Sequence, residues 1–350
     1  MTAFLADYGL FLLKSATILV VVLLAVLGII AMAMRSKQSP GAPSDMGYIE
    51  ITDLSELFYE REHAVRELLD TPKQFKQWLK ARAKAQKVRE KESSKLREKV
   101  IYVIDFDGDI NASGVKSLRE EVSAILAVAS HTDEVLVRLE STGGVVHGYG
   151  LASSQLQRIR DRGIPLIVAI DKVAASGGYM MACMANRVLA APFAIIGSIG
   201  VVGQVPNINR LLKKHDVDIE LHTAGAYKRT LTVLGENTDA ARSKFVEDLN
   251  QVHQLFKQLV GRMRPDLDIE KVATGEIWFG QEAIGLKLVD EIMTSDEYLQ
   301  SRFGEQRILR LAHKYRKNLA QKAGFGIEAA VDRTVVRWLG RIQNSRFFPH

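Results

Sequence analysis

From Val100 onward the chain alternates short apolar runs with amphipathic stretches, and this alternation limits the fold more than any other feature. Val100–Ile104 is a continuous apolar run rich in β-branched residues, the signature of a strand buried on both faces. Val115–Ala129 has helical spacing, Glu134–Leu139 reads as the next strand and Gly148–Arg160 as a helix. Pro165–Ile170 is a third strand, followed by an apolar helix from about Ala174 to Asn186. Val188–Ala191 and Ile219–His222 are two short strands, and Ala240–Met263 is a long helix. Gln281–Met293 and Ser295–Phe303 are read as two more helices. Repeated strand–helix–strand order predicts an α/β layer with mostly parallel strands.

Before this body the composition changes twice. Ser15–Met34 carries no charge, and a membrane-spanning helix needs about 20 apolar residues. A cleaved signal has a shorter apolar core, so the length favours a permanent anchor over residues 1–35, while the small residues within Gly28–Met34 leave a cleaved signal open. Lys14 lies on one side, Arg35 and Lys37 on the other, which leaves orientation undecided. Residues 36–99 begin with a Pro-, Gly- and Ser-containing linker and continue as two helices, Thr52–Leu69 and a basic one from Lys73 to Lys99, divided at Thr71-Pro72. They form a helical stalk or a docking arm.

The 350 residues have a net charge of +6. Eleven Lys or Arg stand against three Glu between Lys73 and Lys99, and the tail over 301–350 is basic and reads as helical. Solvated helix faces or contact with anionic headgroups both suit this pattern; no nucleic-acid-binding motif accompanies it. Cys183 is the only cysteine, so no intrachain disulfide is possible, and its apolar neighbours predict a buried small hydrophobe. No Cys/His cluster has metal-ligand spacing, and no metal or cofactor is expected.

Three small-residue clusters lie where strands hand over to helices: Ser141–Gly144, Ala174–Gly178 and Gly197–Gly200. Ligands of α/β sheets bind at such strand ends. Ser176 falls at a helix start, where free N–H groups and the helix dipole favour developing negative charge. Amides near Gly143, Gly144 and Gly177 could form an oxyanion hole. The plain alternative is that Ser176 is an N-cap and the glycines form turns. A nucleophilic serine also needs a base. No histidine occurs between His147 and His215, and Ser176 lacks a Gly-x-Ser-x-Gly elbow, although a triad from distant residues stays open. Lys228, beside Ala226 and Tyr227, is the other candidate. A free lysine is protonated near neutrality, with a pKa of about 10.4, so a basic lysine must be desolvated.

Ala175–Tyr179, the Gly143-Gly144 pair after a strand, Gly197–Val201 and Tyr227-Lys228 together resemble the signal peptide peptidase A family of serine peptidases, peptidase family S49. The resemblance covers roughly residues 100–300. It implies a crotonase/ClpP-like β-β-α superhelix as the peptidase domain, Ser176 as nucleophile and Lys228 as general base. It further implies Ser198 as the serine that orients the lysine, and Gly143, Gly144 and Gly177 as oxyanion-hole residues. Thr142 departs from the family pattern, which often has Pro before Gly-Gly. The expected activity is endopeptidase cleavage of signal-peptide remnants or envelope peptides at a bacterial inner membrane, with the body on the periplasmic side. A homo-oligomer is expected, with no nucleic-acid partner. Two other readings use the same glycines: a crotonase-type acyl-CoA enzyme and a non-catalytic membrane scaffold.

Overall fold

The computed structural model describes residues 14, 17, 47–93, 97–225 and 227–315. The expected anchor, apart from Lys14 and Thr17, and the tail beyond Tyr315 lie outside them. Among the described residues no helix is long and apolar enough to cross a membrane. Nearly all of the described chain falls in one compact unit, Ile49–Lys314.

In chain order, the unit begins with β1 (Tyr48–Asp53), α1 (Leu54–Leu69) and α2 (Pro72–Ser93). Then come β2 (Val100–Gly108), α3 (Val115–Val128), β3 (Glu134–Ser141), α4 (Val146–Asp161) and β4 (Leu166–Ile170). β5 (Val173–Ala175), α5 (Gly177–Ala182), β6 (Arg187–Ala190), β7 (Ile195–Gly197) and α6 (Asn209–Lys214) follow. The remainder is α7 (Asp239–Met263), α8 (Ile269–Val272), β8 (Ile277–Phe279), α9 (Gly280–Ala283), β9 (Glu291–Ile292), α10 (Ser295–Arg302) and β10 (Arg307–Lys314).

The principal sheet has the order β1-β10-β2-β3-β4-β6-β9 and is parallel from β10 to β9. Successive residues of β2 enter opposite layers, as the two-residue strand period requires. Tyr102, Ile104 and Phe106 join a core with α3, α4 and α5, while Ile101 and Val103 join a smaller one with Tyr298 and Leu299 of α10. Leu54 and Phe58 of α1 pack against that second core. Both faces of β4 are therefore buried along its whole length. Side chains fix several helix starts: Asp53, Thr238 and Thr294 accept from the amides of Glu56, Ala241 and Glu297.

A second, small sheet branches from the first. β5 pairs β3 through Ser141 and Ala174, β7 lies parallel to β5, and β8 closes it antiparallel. The chain thus steps from the large sheet to the small one twice, at β4 to β5 and at β6 to β7.

Five expectations are corrected. The helix read from Ala174 begins at Gly177, because Val173–Ala175 is drawn into the small sheet. Ile219–His222 forms no strand, having no ladder partner and lying exposed in a loop. Gln281–Met293 is not one helix: after the single turn α9, Lys287 is left-handed and Asp290 turns back to accept the Val188 amide at 2.7 Å. The region from residue 301 is not wholly helical, because Arg307–Lys314 is a strand beside β2. The second stalk helix also does not run to Lys99: it is described through Ser93, and residues 97–99 are not helical. Cys183 is fully buried, as read, and burial pushes its thiol up to about 12.

Arg264 ties the end of α7 to β6 and β9. It donates to both oxygens of Asp290, each at 2.7 Å, and to the Lys287 carbonyl at 2.8 Å. Removing one partner of such a largely buried pair leaves a charge stranded. Arg264→Ala should cost about 3 kcal/mol, read as a lower urea midpoint. Glu121 offers a pH test. It is buried beneath β10 and accepts the His313 amide at 2.7 Å. Burial raises its pKa above the ordinary 4.5, outweighing that hydrogen bond. The folded state therefore holds this proton more tightly than the unfolded state, and the associated stability declines as pH rises from about 4.5 through the folded value. Glu121→Gln should match the wild type in acid and exceed its melting temperature at neutral pH.

Candidate active site

Three strand ends meet at one place. Ser141 ends β3, Ala175 ends β5 and Gly197 ends β7, with Ser141 opposite Ala174 and Ala175 opposite Gly197. Ser176 and Ser198, each one residue beyond this ladder, therefore occupy neighbouring positions, with backbones about 5 Å apart at the usual strand spacing. The Ser176 amide extends the ladder by donating to the Gly197 carbonyl at 2.8 Å. The Ser198 amide donates to the Glu276 carbonyl at 2.6 Å.

Both serines have positive φ, 52° at Ser176 and 50° at Ser198. Such geometry costs an L-residue about 1–3 kcal/mol and persists only where its surroundings impose it. At Ser176, with ψ at −116°, it turns the chain abruptly from β5 into α5. The N-cap reading fails on the side chain: Ser176 occupies that position but its hydroxyl makes no capping hydrogen bond. It is half-buried.

The glycine pair comes from the loop after β3. Gly143 has φ of +89°, and a Cβ there would lie 2.7 Å from the Gly177 nitrogen and 2.8 Å from the Ser176 Cβ. Only glycine lets this loop rest directly on the serine turn. Its own N–H is already engaged, donating to Ser141 Oγ at 3.0 Å. Among the described residues the amides of Gly144 and Gly177 have no acceptor. The available donors are thus at Gly144 and Gly177, and Gly143 contributes shape.

Tyr149, which the sequence reading did not single out, locks this arrangement from below. Its hydroxyl donates to the Asp109 carbonyl at 2.8 Å and lies 2.5 Å from Ser141 Oγ. With that proton directed at Asp109, Ser141 donates to Tyr149 and accepts from Gly143. The result is one chain of donors running from the glycine loop to β2's end. Burial lifts the Tyr149 phenol above its ordinary pKa, so it stays protonated. Its ring packs so closely on Gly177 that a Cβ there would overlap it. The signal was available: a tyrosine on the helix after a Gly-Gly loop, eight residues past Ser141.

Lys228 is placed differently. It lies exposed on the loop between α6 and α7, its amide donating to the Gly225 carbonyl at 3.2 Å. Among the described residues no hydrogen bond joins its amine to Ser176 or Ser198. The structure therefore brings together Ser176, Ser198, Gly143, Gly144 and Gly177, and leaves Lys228 in solvent. The surrounding loop exposes apolar side chains, with Tyr227 70% and Leu221 52% accessible. Among the described residues no group of acids, His or Cys has the arrangement of a metal site.

Two family models match in succession, "Peptidase family S49 N-terminal" over residues 3–156 and "Peptidase family S49" over 158–307. A Haemophilus influenzae protein named "Probable protease SohB" is 49% identical over 344 residues, covering 95% of this chain and 96% of its own. The chain belongs to peptidase family S49. It is accordingly a protease. A Buchnera aphidicola protein, also named "Probable protease SohB", is 56% identical over 69% of this chain and 72% of its own. Among solved structures, a mutant of a membrane-bound stomatin-specific protease in complex with a substrate peptide matches at 15% identity, with a TM-score of 0.35. That match covers 59% of this chain and 80% of the other.

Tyr149→Phe keeps the ring but removes the last link of the donor chain. It should cost about 1 kcal/mol of stability, the usual scale for one hydrogen bond, measured by urea denaturation. Ser141→Ala also frees the Gly143 amide in a buried place and should cost more, up to about 3 kcal/mol.

Proposed function

We propose that this protease is a membrane-anchored serine endopeptidase in which Ser176 is the nucleophile and Lys228 the general base. The carrying observation is the Ser176 hydroxyl: uncapped, held at a strained strand end, and flanked by the unengaged amides of Gly144 and Gly177. In the proposed reaction, neutral Lys228 takes the proton of Ser176 as Oγ attacks the scissile carbonyl. The tetrahedral oxyanion accepts from Gly144 and Gly177, where one such donor is typically worth about 3–4 kcal/mol. Collapse breaks the C–N bond, and Lys228 returns the proton to the leaving amine. Water, activated by the same amine, then hydrolyses the acyl-enzyme. Ser198, beside Ser176 in the ladder, orients the lysine.

This reaction requires the loop of Lys228 to close over the strand ends and exclude water. The apolar side chains exposed around it favour such a burial. Leu221 and Tyr227, close to Lys228 in sequence, are both exposed. A homo-oligomer, in which copies cover one another's loops, supplies that cover. The two steps between large and small sheets support the crotonase/ClpP-like β-β-α superhelix as the finer fold. The uncharged stretch Ser15–Met34 supports a membrane anchor; the bacterial inner membrane, the periplasmic side for the body, and signal-peptide remnants or envelope peptides as substrates rest on the family resemblance.

Ser176→Ala and Lys228→Met should each reduce hydrolysis of a denatured protein substrate by at least a thousandfold, with unchanged melting temperature. Ser176→Ala should also abolish labelling by a fluorophosphonate. Substantial turnover in either variant would sink the dyad, and labelling that survives Ser176→Ala would move the nucleophile elsewhere.

A further inference from the structure

We propose that the outward face of α2 is a docking surface for the anionic headgroups of a lipid bilayer. Lys73, Lys76, Lys80, Lys84 and Lys87 follow one another at spacings of three, four, four and three residues. On a helix of 3.6 residues per turn this places all five within one narrow stripe, about 21 Å long at 1.5 Å per residue. All five are exposed, and none forms an ion pair or hydrogen bond with a described residue. From Pro72 to Val88 the sequence contains no Asp or Glu, so nothing on this stretch neutralises them.

The opposite face of α2 is already occupied. Phase on the helix puts Phe75, Trp78 and Arg82 about half a turn from the lysines. Phe75 and Trp78 meet the His63 ring of α1 at 5.1 and 5.9 Å. The Arg82 guanidinium stacks on Tyr59 at 4.3 Å and pairs with Glu56 at 2.9 Å. The packing of α2 on α1 therefore fixes which way the stripe points, and it points away from the hairpin.

The chemistry of this face selects its partner. It offers five compact point charges and no aromatic ring; Arg82, Phe75 and Trp78 are turned inward. Nucleic-acid grooves commonly combine cations with stacking aromatics, and arginine is the residue that reads phosphates with fixed geometry. A row of lysines without either is suited to a fluid array of negative headgroups, where each cation near the surface adds to binding. Delivery of the stripe to a bilayer rests on the anchored reading above, since the uncharged run ends fewer than forty residues before Lys73.

The test uses the full chain with Ala83→Cys, an exposed position flanking the stripe, carrying an environment-sensitive fluorophore; Cys183 is buried and labels poorly. The labelled protein is reconstituted in phosphatidylcholine vesicles with or without about one-third phosphatidylglycerol. The expected result is a blue shift and quenching by brominated lipid only with the anionic lipid. Both should fall at least fivefold when all five lysines are replaced by glutamine, and in high salt. The same signal in neutral vesicles, or one retained by the glutamine variant, overturns the proposal. So does a response to duplex RNA with none to anionic vesicles. Flotation with neutral vesicles scores the anchor separately: a chain that does not float there yet gives the signal with anionic ones still supports the stripe.

Discussion

The register of three parallel strand ends is the constraint on which the site depends. Once Ser141 stands opposite Ala174 and Ala175 opposite Gly197, the residues that follow on β5 and β7 have no freedom to be elsewhere. Ser176 and Ser198 become neighbours through backbone hydrogen bonding alone, before either side chain makes a contact. A slip of one residue would turn each strand's side chains to the opposite face and exchange core for solvent. The packed core of β3, β4 and β6 therefore protects the register of the short strands that carry the candidate site.

That register alone would not hold two serines in left-handed backbone conformations. The Glu276 carbonyl holds the Ser198 amide, and the compensation for Ser176 lies beneath its turn. Tyr149 fills the space under Gly177 and completes the hydrogen-bond chain through Ser141 to the Gly143 amide. With that amide held inward, the loop leaves its next one, at Gly144, without an internal acceptor. Each element of the site is thus held by a buried partner, while the groups that face outward are left unsatisfied. Buried polar groups are nearly always paired, so amides left open at the mouth of a strained turn have their use outside the fold.

Much of this was legible in the chain. β2, β3 and β4 announce themselves as β-branched runs because both faces are buried, and α3, α4 and α7 carry a helical period because one face is. The small-residue clusters at the strand ends marked the site. What was not legible has physical causes. Strands β7 and β8 have three residues each, too few to show a period, and exist by pairing with distant partners. Strand β10 mixes Arg307, Arg310 and His313 with Ile308 and Leu311 because it is only partly covered, so its basic character read as helix. The Val173–Ala175 strand was absorbed into the apolar helix that follows. Ile219–His222 has the composition of a strand but no ladder to join. A resemblance to a known family implied Lys228 as a base, yet local sequence cannot state what surrounds a loop lysine.

For the dyad we propose, the exposure of Lys228 sets a physical condition: its amine must be covered before it can act. An amine in water is protonated near neutrality, and deprotonating it there is costly. Desolvation removes that cost only where the amine is covered, and the loop that carries it presents apolar side chains to solvent instead of burying them. A loop whose covering completes a base joins two events that a preformed pocket would keep apart. The strand ends are permanently organised by the core, whereas the proposed base would be completed only when something apolar closes over it. Under the dyad we propose, an uncovered chain would hold Ser176 in place yet stay inactive, and proteolysis would be confined to wherever the cover forms.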